Sequence, residues 1–174
     1  FQADYQVVAA SGLGVVRNGC GWPGPTIPPL YPFSLFDGKT VYDFNEWQPQ
    51  VVVMMMGAND FSTVLGDKEK WASRRELRAA YVATYVNFLK VLRQLDPDAT
   101  LILLESDSSG DAELFEADRA VVKAAADPRV ILLPLHKVGR GGCNGHPSAN
   151  EQHDIALVLI NYLDKHPEVW GTAR

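Results

Sequence analysis

The chain alternates between short apolar runs and longer amphipathic stretches. The most continuous run is Val51 to Met56, led by β-branched valines, and it reads as a strand buried on both faces. It stops at Gly57, with polar Asn59 and Asp60 directly behind. Tyr5 to Ala10, Thr100 to Leu104 and Val130 to Leu135 read as further strands. Between them the period becomes helical. Leu77, Tyr81, Tyr85, Phe88, Leu89 and Leu92 share one face, behind the capping box Ser73-Arg74-Arg75-Glu76 and ahead of Asp96-Pro97. A second helix is expected from about Asp111 to Ala126, with Phe115, Val121, Val122 and Ala125 inward. A third follows the box Ser148-Ala149-Asn150-Glu151 and turns Ile155, Leu159, Ile160 and Leu163 inward. Phe1 to Tyr5 look like the tail of a helix. Strands alternating with helices predict an α/β fold with a parallel sheet.

The stretch 15–49 breaks the pattern. Pro23, Pro25, Pro28, Pro29 and Pro32, with Gly19, Gly21 and Gly24, exclude regular elements there, and loops this long inside a compact domain are usually functional. Arg17, Asn18, Trp22, Tyr31 and Trp47 belong to it. Their aromatic faces suit sugar rings and equally suit pinning a loop to a surface. Phe61 to Trp71, Ser106 to Gly110 and Lys137 to Pro147 are the other loops.

In an open parallel sheet, ligands bind outside the carboxyl ends of the strands. Gly12, Gly57 with Asn59, and His146 all follow expected strands. An imidazole with a pKa near ~6.5 serves as base and then acid at neutral pH. The backbone N–H of Gly12 and the amide of Asn59 can hold a developing oxyanion. Together these are the accessory half of an acyl-transfer site. His146 and His153 lie seven apart across a loop–helix junction with no carboxylate in a ligand pattern, so neither a metal nor another cofactor is expected. No Gly-rich phosphate loop opens a helix.

Composition narrows the classes further. A length of 174 residues with 47% hydrophobic content suits one domain with a sizeable core. The net charge of −5 argues against a nucleic-acid or anionic-membrane surface. No apolar stretch approaches the roughly 20 residues that span a bilayer. Two cysteines, Cys20 and Cys143, do not set the redox compartment. If their loops rim one cleft, a single disulfide between them is open, and a Cα–Cα separation beyond about 7 Å would exclude it.

The motifs resemble those of the SGNH (GDSL-like) hydrolases. Ser11-Gly12 looks like that superfamily's second block, Gly57-Ala58-Asn59-Asp60 like the third and His146-Pro147 like the fifth. The wider text, from Ala10-Ser11-Gly12-Leu13-Gly14-Val15-Val16-Arg17-Asn18 through Trp47-Gln48-Pro49 to Asn59-Asp60-Phe61-Ser62, is most similar to carbohydrate esterase family 2. The resemblance implies a three-layer flavodoxin-like fold. It also implies a secreted (extracellular or periplasmic) acetyl esterase acting on acetylated sugars or polysaccharides. Gly12, Asn59 and His146 would be catalytic, with Asp60, Trp22, Arg17 and Asn18 near the substrate.

Two departures stand out. No Gly-Asp-Ser block occurs in the chain. The family's order places it, with the first and central strand, ahead of the strand at Tyr5. Residues 1–174 are therefore expected to be the C-terminal part of one domain, with an upstream segment or another chain supplying strand and serine. Second, the superfamily's usual Asp three residues before the His is here Cys143. Members of family 2 can instead orient the His with a backbone carbonyl. Two rival readings stand beside the esterase: Ser11 as nucleophile, although its surroundings are not a Gly-x-Ser-x-Gly elbow, and a carbohydrate-binding protein without the serine.

Overall fold

The computed structural model describes residues 3–35, 37–106, 112–135 and 138–171. Strands β1 (Val51–Met54), β2 (Thr100–Ser106) and β3 (Val130–Leu135) form a parallel sheet in that order. Val51 pairs with Thr100, and Leu101 with Val130. Helix α1 (Arg74–Leu95) joins β1 to β2, α2 (Ala112–Ala125) joins β2 to β3, and α3 (Ala149–Lys165) follows β3. Ser73 caps α1 by accepting the Glu76 N–H at 3.3 Å. At α3 both halves of a capping box form, with the Glu151 carboxylate receiving the Ser148 N–H at 2.6 Å and the Ser148 hydroxyl receiving the Glu151 N–H at 3.4 Å.

Alternation along β2 divides the core into two sides. Leu101 and Leu103 pack with Tyr81, Leu89 and Leu92 of α1 and with Val121 of α2. Ile102 and Leu104 face the other way, toward Leu163 and Ile155 of α3. Helices thus cover both sheet faces in three layers, as a parallel sheet requires. All six residues expected on the inner face of α1 are buried. On α2 the buried set is Leu114, Ala117, Asp118 and Val121. Phe115 lies instead under the Arg119 guanidinium, 5.6 Å from its ring.

Two expectations are corrected at the β1 side. Val51 to Met56 is not buried on both faces: Val53 is 40% and Met55 43% exposed. The reason is that β1 is the outer strand among the described residues, so nothing packs beside it. Residues 3–10 form neither strand nor helix tail, and Tyr5, Val7 and Val8 are exposed. A cavity of about 420 Å³, lined by Val8, Ala9, Val52, Met54, Leu13 and Asn59 among others, separates this segment from β1. Without a neighbouring ladder, backbone N–H and C=O groups have no reason to hold strand geometry.

The 15–49 stretch carries only single-turn helices, at Gly19–Gly21 and Ile27–Leu30, and one isolated bridge between Phe33 and Val41. Tyr31 pins it, stacking on Phe44 at 5.5 Å and meeting Phe88 of α1 edge-on at 5.2 Å. The exit loop expected at 106–110 lies, from 107 on, outside the described residues, as do Asp111 and Lys137. Among the described residues no helix is long and apolar enough to cross a membrane.

Candidate active site

Gly57 turns the chain out of the β1 run. Its φ is 102°, and a Cβ there would collide with the Tyr81 hydroxyl and Leu114, so only glycine fits. The single helical turn Ala58–Phe61 then points Asn59 and Asp60 at the loop 12–19. Nδ2 of Asn59 donates to the Leu13 carbonyl at 2.8 Å. Asp60 receives the backbone N–H groups of Val15, Val16 and Arg17 at 2.9, 2.7 and 2.9 Å. The loop closes on itself where the Gly19 N–H donates to the Gly12 carbonyl at 2.8 Å. The Trp22 ring lies against Gly12, and the residue is 65% exposed.

Burial pushes the Asp60 carboxyl up to about 6, while its three backbone donors pull the other way. Arg17 is also buried. Its Nε and Nη2 form a forked pair with Glu69 at 2.5 and 2.8 Å, and its remaining donors reach the carbonyls of Asp60, Thr63 and Val64. The hydrogen bond from Arg17 draws the Glu69 carboxyl down to about 2. Asn18 accepts the Gly14 N–H at 3.2 Å and donates to the Pro25 carbonyl at 3.3 Å. The expected substrate contacts of Asp60, Arg17 and Asn18 are therefore corrected. All three are buried and face inward, with these polar atoms spent on the protein's own backbone and on Glu69, and they shape the loop. Of the four residues expected near substrate, Trp22 has the exposed face.

His146 stands apart from this cluster. It ends a tight turn, Cys143–Gly145, that follows a glycine-rich approach. Its carbonyl accepts the Gly142 N–H at 2.8 Å, and its Nδ1 lies 3.1 Å from the Cys143 carbonyl. A carbonyl can only accept, so Nδ1 is the donor in this contact, and in the neutral ring the lone pair is then on Nε2. The start of α3 packs over Leu104 and Leu135 at the carboxyl ends of β2 and β3. The His146 loop therefore leaves the same sheet edge as Asn59. No hydrogen bond joins His146 to Asn59 or Gly12 among the described residues. Cys20 and Cys143 are both exposed and free, so of the two open alternatives the structure has the unbonded one.

Two contributors, Glu69 and Asp118, escaped sequence reading, and so did the bond from Gly141 to Glu151, whose capping box with Ser148 was expected. Glu69 carries no spacing signal for the contact it makes with Arg17. Asp118 does, because Leu114, Asp118 and Val121 share the inner face of α2. No group of three or more potential metal ligands occurs among the described residues.

The fold as a whole has close counterparts. A solved carbohydrate esterase, whose active site is described as showing divergent catalytic and non-catalytic binding functions, superposes with a TM-score of 0.93 at 39% identity over 98% of this chain and 55% of its own. Its relatives and structural neighbours are family 2 carbohydrate esterases. An acetylxylan esterase/glucomannan deacetylase of Cellvibrio japonicus (strain Ueda107) is 40% identical over 98% of this chain. A family two carbohydrate esterase from Clostridium thermocellum, solved with cellohexaose, gives a TM-score of 0.73 at 26% identity over 91% of this chain and 48% of its own. The chain spans about half the length of the Cellvibrio relative, 48%. No family model matches it.

Proposed function

We propose that this chain is part of a secreted carbohydrate O-acetyl esterase that releases acetate from acetylated sugars or polysaccharides by Ser–His acyl transfer. The observation that carries the reading is the 3.1 Å contact between His146 Nδ1 and the Cys143 carbonyl. It leaves Nε2 basic on the sheet edge that also bears Asn59.

The nucleophile is a serine outside these residues, on a strand seated between residues 6–10 and β1. Three observations support this: the open outer edge of β1, the cavity beside it that reaches Leu13 and Asn59, and the absence of a Gly-Asp-Ser block. The serine Oγ attacks the acetyl carbonyl carbon as Nε2 of His146 takes its proton. The oxyanion is met by the Gly12 N–H and by the Asn59 Nδ2 hydrogen not given to Leu13. Collapse breaks the bond to the sugar oxygen, which takes the proton from His146. Water, deprotonated by the same Nε2, then attacks the acetyl-serine, and acetate leaves.

A longer protein that includes the residues encoded ahead of Phe1, assayed with an aryl acetate and acetylated xylan beside residues 1–174 alone, tests the reading. The longer protein is expected to turn over and to lose activity when its serine is changed to Ala. Turnover by residues 1–174, abolished by Ser11→Ala, would make Ser11 the nucleophile. One observation favours a second reading, a non-catalytic carbohydrate binder: Trp22 offers an open ring face beside Gly12. Tight polysaccharide binding by the longer protein without acetate release would select it.

A further inference from the structure

We infer that Glu151 is the positioning residue for His146, holding through backbone groups the carbonyl that orients the imidazole. The inference rests on reading His146 as the base, but its geometry stands separately. Glu151 lies at the third position of α3, on a rigid helix, and its Oε2 receives two backbone donors, Ser148 N–H at 2.6 Å and Gly141 N–H at 2.9 Å. One donor belongs to the helix start and the other to the far side of the His146 loop, so the carboxylate staples the loop across its neck. These contacts hold the Glu151 carboxyl below its ordinary range.

The glycines around it have a common explanation. A Cβ at Gly139 would overlap the Glu151 carboxylate, and a Cβ at Gly142 would come within 2.8 Å of the His146 carbonyl and 2.9 Å of that of Pro147. From Gly141 the next residue, Gly142, donates to the His146 carbonyl, and the His146 N–H returns to the Cys143 carbonyl at 3.1 Å. That same Cys143 oxygen receives Nδ1–H. An unbroken series of short contacts thus runs from Glu151 to the ring. The work that a carboxylate three residues before the histidine would do directly is done here by a carboxylate five residues after it, acting on the loop.

The consequence is chemical. An unrestrained neutral imidazole in water favours the tautomer with its proton on Nε2, which is useless as a base at that atom. Holding the Cys143 carbonyl under Nδ1 selects the other tautomer. Three variants separate this from plain helix capping. Glu151→Ala removes the staple. Glu151→Asp keeps a charge and a cap at the helix start but is too short to hold Ser148 and Gly141 together. Glu151→Gln keeps both reach and an acceptor.

The test is ¹⁵N chemical shifts of the His146 ring nitrogens in the longer protein at about pH 8, which report protonation and tautomer together. Circular dichroism confirms that each variant is folded. The wild type and Glu151→Gln are expected to show the Nδ1–H form. Glu151→Ala and Glu151→Asp should move toward the Nε2–H form, and their kcat should fall about tenfold to a hundredfold with KM nearly unchanged, as for a misplaced reacting group. If Glu151→Ala does not fold, Glu151→Asp decides. An unchanged tautomer in a folded Glu151→Asp protein overturns the inference, as does Glu151→Gln behaving like Glu151→Asp. A wild type without esterase activity would defeat the proposed reaction and leave the tautomer result to judge Glu151 by itself.

Discussion

Asp118 offers a test of the core by protonation. It lies on the inner face of α2, buried, and its Oδ1 accepts the Tyr81 hydroxyl at 2.7 Å. Burial is the largest influence on it; the nearby charges of Glu105 and Asp60 add to that and the Tyr81 bond opposes it, bringing the carboxyl from 3.8 up to about 7. Between those values the unfolded chain has released the proton that the folded chain keeps, so stability falls as pH rises through the window and levels above it. Each pH unit is worth about 1.4 kcal/mol. From about pH 5 to about pH 8 this one residue should therefore cost the fold roughly 3 kcal/mol. Asp118→Asn is isosteric with the neutral acid, keeps an acceptor for Tyr81 and cannot titrate. Any fixed cost of the amide cancels when the variant is compared with the wild type at two pH values. Urea unfolding, followed by tryptophan fluorescence at several pH values, should show the Asp118→Asn protein gaining on the wild type by roughly 3 kcal/mol over that span. A difference that stays flat with pH would refute the reasoning and mean that Asp118 ionises in the fold as it does in water.

Arg17→Ala should destabilise the protein by about 3–5 kcal/mol, since it strands Glu69 and several carbonyls, and Arg17→Lys should recover only part because an ammonium cannot reproduce the fork; denaturant unfolding checks both. Asp60→Asn should cost about 1–3 kcal/mol even though it removes a buried charge, because the amide nitrogen turns a donor toward backbone N–H groups that need an acceptor. In the active longer protein, Asn59→Ala should lower kcat by about 10²–10³ with little change in KM, measured with an aryl acetate. An unchanged kcat would reduce Asn59 to a support for Leu13.

The inner face of α1 was legible because its apolar spacing repeats over many turns, and the inner-face set from Leu77 to Leu92 needed nothing beyond the period. The strand at Val51 was legible as an element but not in its burial, which depends on a neighbour that no local pattern reports. Asn59 and His146 could be placed at the carboxyl edge because a parallel sheet sends every strand exit there. The parts played by Asp60, Arg17 and Asn18 could not be read. A polar residue in a loop is ordinarily solvated, and here the loop curls so that its own amides take up Asp60. The Arg17–Glu69 pair joins positions 52 apart in sequence, a distance over which charge patterning carries no signal. Asp118 could have been found, since its helical position is inward.

The three amides around Asp60 have a consequence of their own. Successive N–H groups pointing into one hollow make the kind of concavity that in phosphate-binding proteins waits for an external anion and becomes ordered when that anion arrives. Here the hollow is filled by a carboxylate of the same chain, 45 residues from Val15 in sequence. The loop beside Asn59 consequently reaches its shape with no help from ligand. Phosphate or sulfate in solution therefore finds no vacancy among those three amides.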